Sequence, residues 1–132
     1  MVSIFSKIIS GDIPSYKIAE TDHYIAFLDI NPLARGHTLV VPKTEVDYLF
    51  DLDGETYAGL WLFARKVAQA LHKTVSCERI GVAVVGLEVP HAHIHLVPIH
   101  GMYDIDFSRP KLKLETEEFN LIAGRVSEAI SL

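Results

Sequence analysis

Residues 91–95 read His-Ala-His-Ile-His, and no other stretch restricts the fold as tightly. In an extended strand successive side chains point to opposite faces, so His91, His93 and His95 share one face while Ala92, Ile94 and Leu96 share the other. At a rise of roughly 3.3 Å per residue, neighbouring imidazoles stand about 7 Å apart. The strand must then bury one apolar face and carry on its reverse three groups that accept, donate or take charge near neutral pH. A strand with one buried face would accept valine or threonine at these positions at no cost. Against the bland reading, a chance cluster on a solvated face, the pattern points to a reactive site.

The rest of the chain supplies a sheet for that strand. Ile4, Phe5, Ile8 and Ile9 have the spacing of a short amphipathic helix over 4–9, which Gly11 ends and Pro14 keeps from continuing. Tyr16–Ala19 and Tyr24–Leu28 read as strands around the turn Glu20-Thr21-Asp22-His23, and Asp29-Ile30-Asn31-Pro32 closes the second. Gly36–Val41 is a third strand stopping at Pro42, with His37, Leu39 and Val41 on one face. After Asp53, a plausible N-cap, Tyr57, Leu60, Trp61, Ala64, Val67, Ala68 and Leu71 predict a long helix. Leu62 and Phe63 lie off its stripe, so that helix has either a second packing partner in the chain or a subunit contact. Arg79–Val85 and Pro90–Pro98 read as strands four and five, joined by the tight segment Gly86-Leu87-Glu88. Thr116 is placed as the cap of a last helix carrying Phe119, Ile122, Val126 and Ile130. Short strands joined by turns, with grouped helices, predict an antiparallel sheet in an α+β fold.

Length and charge narrow the class. A chain of 132 residues fits one domain, taken as 1–132, and no repeat, linker or low-complexity tract divides it. A formal charge of −5 argues against a nucleic-acid partner, which needs a basic footprint. Apolar runs fall short of the roughly 20 residues that span a bilayer, and the N-terminus lacks the apolar region of a signal peptide. With Cys77 alone, no intramolecular disulfide can form, so a soluble, cytoplasmic protein is expected.

Two chemistries suit the histidine row. Alternate imidazoles on a strand can both reach a zinc ion at about 2 Å. Equally, an imidazole nitrogen can attack phosphorus and later leave from the phosphoramidate it forms. Spacing alone leaves the two even.

The segment Glu88–Val97 resembles the His-φ-His-φ-His-φ-φ signature of the HIT (histidine triad) family, φ being apolar. The likeness extends to Ile4–Ile9, to Ala26–Pro32 and to Arg35–Lys43, running in the family's order from residue 3 to about 100 and leaving 101–132 as a C-terminal extension. It is nearest the Hint-like branch, small homodimers that hydrolyse purine nucleoside 5′-phosphoramidates and related adenylated compounds. The resemblance implies a five-stranded antiparallel sheet with one long helix and a C-terminal helix, joined across a dimer into ten strands, and no cofactor. It implies His93 as the nucleophile carrying the nucleotidyl group, His95 as the group that binds phosphate oxygens and helps the amine leave, and His91 and His37 as their supporting network. Asp29 matches the ribose-binding acid, Ile4, Phe5, Ile8, Phe27, Leu28 and Ile30 match an apolar slot for the base, and backbone amides near Glu88 and Val89 match a phosphate contact. His23, His72 and His100 fall outside the motif.

Two departures stand out. Many bacterial relatives hold zinc through Cys-x-x-Cys, a histidine after Pro-Lys and a triad histidine; here Ser3, Ser6 and Glu45 occupy the first three places, and no metal is expected. The segment Val84-Val85-Gly86-Leu87 lacks the usual Asn and puts Leu87 where Gln is usual, removing two donors. A nucleotidyl-phosphoramidate hydrolase is therefore favoured. The alternatives are a nucleotide-binding module with weak or vestigial catalysis and a metal-dependent hydrolase.

Overall fold

The computed structural model describes residues 2–131. Helix α1 (Ile4–Ile9) is followed by β1 (Lys17–Glu20), β2 (Tyr24–Leu28) and β3 (Thr38–Pro42), then by the long helix α2 (Gly54–Thr74). Strands β4 (Arg79–Ala83) and β5 (Ile94–Ile99) come next, and α3 (Thr116–Ala129) ends the order. The strands form one antiparallel sheet in the order β1-β2-β3-β5-β4, the α+β architecture that the sequence implies. Because α2 crosses the sheet between β3 and β4, β5 enters between them. His95 is thus paired on both sides, with Leu39 and with Ala83.

Side-chain alternation divides the sheet into two faces. Ala26 and Leu28 of β2, Val40 of β3 and Ile94 and Leu96 of β5 pack with Leu60, Phe63, Val67 and Leu71 of α2 and with Phe119 and Val126 of α3. On the other face Ile25, Phe27, Leu39 and Val41 pack with Phe5 of α1. His37, His93 and His95 belong to this second face by the same parity. Phe63, off the main stripe of α2, is buried within the chain and stacks on Tyr24, whereas Leu62 stays exposed. No helix is long and apolar enough to cross a membrane among the described residues.

Several boundaries differ from expectation, each for a local reason. Strand β5 begins at Ile94 rather than Pro90. Pro90 has no N–H to give, the His91 N–H turns back to the Val89 carbonyl at 2.8 Å, and that of Ala92 goes to the Val46 carbonyl at 2.7 Å, so this backbone is held by loops. Strand β4 ends at Ala83, which makes 84–93 a long connection rather than a tight turn. Pro42 lies inside β3, and Glu115 rather than Thr116 sits at the cap position of α3, without a side-chain bond. Ile130 falls just past the end of that helix. At the start of α2 the expected cap is found: Asp53 Oδ1 accepts from the Thr56 N–H at 2.7 Å.

Two helical glycines give opposite expectations. A Cβ on Gly59 would meet Tyr24 Oη at 2.0 Å, whose hydroxyl donates to the Thr56 carbonyl, while one on Gly124 would meet nothing within 4 Å. Gly124→Ala should therefore raise the unfolding free energy by about 0.5–1 kcal/mol, the usual helix-propensity gain. Gly59→Ala should reverse that sign and cost about 1–3 kcal/mol through the clash. Urea unfolding of both variants checks the pair.

Candidate active site

Four elements converge on the second face. Gly36, at φ +91°, turns the chain into β3; a Cβ there would sit 3.1 Å from Pro98 and Val75 side-chain atoms, so glycine alone fits. That turn delivers His37 to the sheet. β5 delivers His95, the connection before it delivers His91 and His93, and α1 lays Phe5 edge-on against both of the latter at centroid distances of 5.9 and 4.9 Å. The rings of His93 and His95 are 4.9 Å apart, closer than the 7 Å of a regular strand, because the chain is not yet in strand geometry at His93.

The hydrogen-bond partners fix each tautomer. The Leu33 N–H donates to His37 Nδ1 at 3.0 Å, so a neutral His37 holds its proton on Nε2 and gives it to His95 Nδ1 at 2.9 Å. His95 is then left with its proton on Nε2. His93 Nδ1 can only donate to the carbonyl of His91, at 2.7 Å, which leaves Nε2 with a free lone pair. His91 Nε2 must donate to the Pro42 carbonyl at 2.8 Å, so its Nδ1 accepts from Ser3 Oγ at 2.7 Å. One nitrogen poised to attack thus lies beside one nitrogen poised to donate.

Burial disfavours the charged form of three of these rings. It pushes His37 down to about 3 and His95 down to about 4, with neighbouring charges adding to the same direction, and it lowers His93 as well despite the helpful bond to the His91 carbonyl. Asp29 is pushed upward, chiefly by burial and then by Glu88, against the Asn31 N–H and Lys111. Its Oδ1 accepts from Asn31 at 2.8 Å, and its Oδ2 lies 3.6 Å from His37 Nε2, too far for a hydrogen bond.

A cleft of about 410 Å³ opens over this face, a size that holds a small-molecule ligand. His37, His93, His95, Asp29, Ile4, Phe5, Ile8, Phe27, Leu28, Ile30, Glu88 and Val89 all line it. His91 does not; it is fully buried behind the wall, a place suited to support rather than contact. Ile4 and Ile30 are largely exposed, which ordinary core packing does not explain, whereas Phe5, Phe27 and Leu28 serve core and cleft together. Among the described residues the N–H groups of Glu88 and Val89 have no protein acceptor. Leu87 lines the rim at 87% exposure, an apolar side chain where the expected donor is missing.

Sequence reasoning did not find the wall built by 106–112. Phe107 packs edge-on against His95 at 4.8 Å, and Lys111, also lining the cleft, donates to the carbonyls of Phe107 and Arg109. The Leu112 N–H bonds the Pro32 carbonyl at 2.8 Å and pins the segment over the site. A lone aromatic in a polar stretch was the only signal.

Neither group of metal-ligating side chains fits an ion. Asp29, His37 and His95 offer ligand atoms within 4.8 Å of one another. To bind through Nε2, His37 would have to move its proton to Nδ1, against the Leu33 N–H that already points there. Around Ser3, Ser6, Glu45 and His91 the donors satisfy one another, and hydroxyls are poor zinc ligands.

Comparison with known proteins agrees with the geometry. The model of the HIT domain matches residues 10–102. An adenosine 5′-monophosphoramidase of Schizosaccharomyces pombe is 32% identical, covering 98% of this chain and 99% of that protein. A crystal structure of a Hit-like protein from Bartonella henselae superposes with a TM-score of 0.85 at 33% identity, over 97% of this chain and 96% of that one. A zinc-bound histidine triad family protein from Mycobacterium smegmatis gives 0.79 at 30% identity, over 95% and 93%.

A buried neutral ring has a thermodynamic signature. Unfolded histidines titrate near 6.5, so below that pH the unfolded chain takes up protons that the folded His37 and His95 refuse. Stability from these two rings is complete above about pH 6.5 and falls as the pH drops toward 4. Urea unfolding against pH should show that loss, and the ring ¹⁵N shifts of both residues should still report neutral imidazole at pH 5.5.

Proposed function

Because this chain belongs to the HIT family, we propose that it is a nucleotidyl hydrolase that cleaves purine nucleoside 5′-phosphoramidates or related adenylated compounds through a covalent nucleotidyl-His93 intermediate. The observation that carries the reading is the paired protonation state, a lone pair on His93 Nε2 beside a proton on His95 Nε2. The base lies in the apolar slot of Ile4, Phe5, Ile8, Phe27, Leu28 and Ile30, and the Asp29 carboxylate accepts from the ribose hydroxyls. The free N–H groups of Glu88 and Val89 face the phosphate.

His93 Nε2 attacks the α-phosphorus and the phosphorus–nitrogen bond breaks. The departing amine nitrogen takes a proton from solvent in the cleft, while the His95 Nε2–H donates to the phosphate oxygens. The positive charge that His93 gains is balanced by the negative phosphate oxygens. In the second half, water attacks the nucleotidyl group, gives up a proton to solvent and frees His93 with its lone pair restored. No step needs a metal.

One feature favours a second reading, a nucleotide-binding module with weak catalysis. Leu87 gives the leaving group no hydrogen bond, and a missing transition-state donor costs on the order of 10²-fold in rate. We further propose a homodimer in which the outer edge of β4, with Val82 exposed, pairs with its copy to continue the sheet to ten strands. The setting is a reducing one, cytoplasmic, in which Cys77 stays a free thiol.

With an adenosine phosphoramidate, His93→Ala should lose on the order of 10³-fold or more in kcat and form no acid-labile nucleotidyl adduct. Wild-type turnover should be unchanged by strong chelators; equal turnover of the two proteins would exclude the mechanism. Val82→Asp should convert the dimer to a monomer in light scattering, and a wild-type monomer would exclude the edge pairing.

A further inference from the structure

Behind the site, a set of hydrogen bonds joins three parts of the chain that are distant in sequence. Ser3 Oγ, in a residue 5% exposed, accepts from the Ser6 N–H at 3.0 Å and donates to His91 Nδ1 at 2.7 Å. Glu45 Oε1 accepts from the Ser3 N–H and from Ser6 Oγ, each at 2.7 Å. The next residue along, Val46, accepts from the Ala92 N–H at 2.7 Å, and Pro42 at the end of β3 accepts from His91 Nε2. His91 is therefore held at both ring nitrogens and by the neighbouring backbone. Its carbonyl is the acceptor that keeps the His93 proton on Nδ1.

We propose that Ser3 and Glu45 are positioning residues, forming a hydrogen-bonded clamp that fixes the place of the His91 ring, holds the carbonyl that orients His93, and fastens the slot helix α1 to the histidine row. The proposal rests, for its kinetic part, on the role given to His93 above. Ser3 is not itself a nucleophile. Its hydroxyl is buried away from the cleft, and its proton and lone pair are already committed. The clamp also explains why a serine pair and an acid work here as a set. Ser3 satisfies the buried His91 Nδ1, and Glu45 holds the Ser3 N–H and the Ser6 hydroxyl from the surface. Displacing His93 by a fraction of an ångström would spoil an in-line attack, for which geometry errors of about 1 Å cost roughly 10²-fold.

The test uses the full chain with an adenosine phosphoramidate as probe. Ser3→Gly deletes the donor to His91 while glycine remains an acceptable helix cap, costing only a few tenths of a kcal/mol there. Ser3→Thr keeps the hydroxyl, and Glu45→Ala removes the acceptor from an exposed position that the core does not depend on. Ser3→Gly and Glu45→Ala should lower kcat by roughly 10- to 100-fold with KM little changed, and Ser3→Thr should stay near wild type. Ring ¹⁵N shifts recorded without substrate should show His91 protonated at Nε2 in every protein, with Nδ1 at the shift of a hydrogen-bonded acceptor in wild type and Ser3→Thr and at that of a free lone pair in Ser3→Gly, where the His93 ring signals should move as well. Variants that only melt earlier, with kcat and the His91 and His93 ring signals unchanged, would overturn the clamp. If wild type turns over no phosphoramidate, the hydrolase reading fails, and the ring signals decide the clamp by themselves.

Discussion

The whole arrangement depends on four buried imidazoles whose nitrogens are nearly all spoken for. An unpaired polar atom in a protein interior costs on the order of 1–3 kcal/mol, so a row of buried histidines is tolerable only when each ring has defined partners. Here those partners are the Leu33 N–H, the carbonyls of Pro42 and His91, the Ser3 hydroxyl and the histidines themselves. Satisfying them dictates the tautomers, and the tautomers leave two nitrogens facing the cleft with opposite abilities. The reactive asymmetry is a by-product of hydrogen-bond accounting in the wall behind.

The sheet is what makes the accounting possible. Placing β5 between β3 and β4 pairs its backbone on both edges, so His95 cannot slip in register. The opposite face is closed by α2 and α3 over Ile94 and Leu96, and this removes water from beneath the row. α1 is short, and it is attached twice, through Phe5 into the apolar layer and through Ser3 and Ser6 into the polar one.

Much of this was legible in the residues, by physical signals of different strength. Alternation in 94–96 and in 37–41 assigned faces correctly, because a period of two is unambiguous where one face is apolar, whereas His91 precedes the strand and lies behind the cleft wall. The cap at Asp53 and the stripe of α2 were legible for the same kind of reason. The start of β5 was not, since the Ala92 N–H goes to the carbonyl of Val46, more than forty positions earlier, while that of His91 turns back to Val89. The loss of zinc-type ligands at Ser3 and Ser6 was plain, but not what replaced them, because a hydroxyl can bond almost anything nearby. Phe107 and Lys111 left no periodic trace; their segment is tied back by a backbone bond from Leu112 to Pro32, far apart in sequence.

That last attachment has an evolutionary reading. The strap at 106–112 touches His95 by its Phe107 ring, yet none of the bonds that fix the tautomers runs through it. Substitutions along it can reshape the doorway of the chamber while the chemistry inside keeps its wiring. A lineage carrying this scaffold is free to change its clientele by altering a few residues outside the sheet.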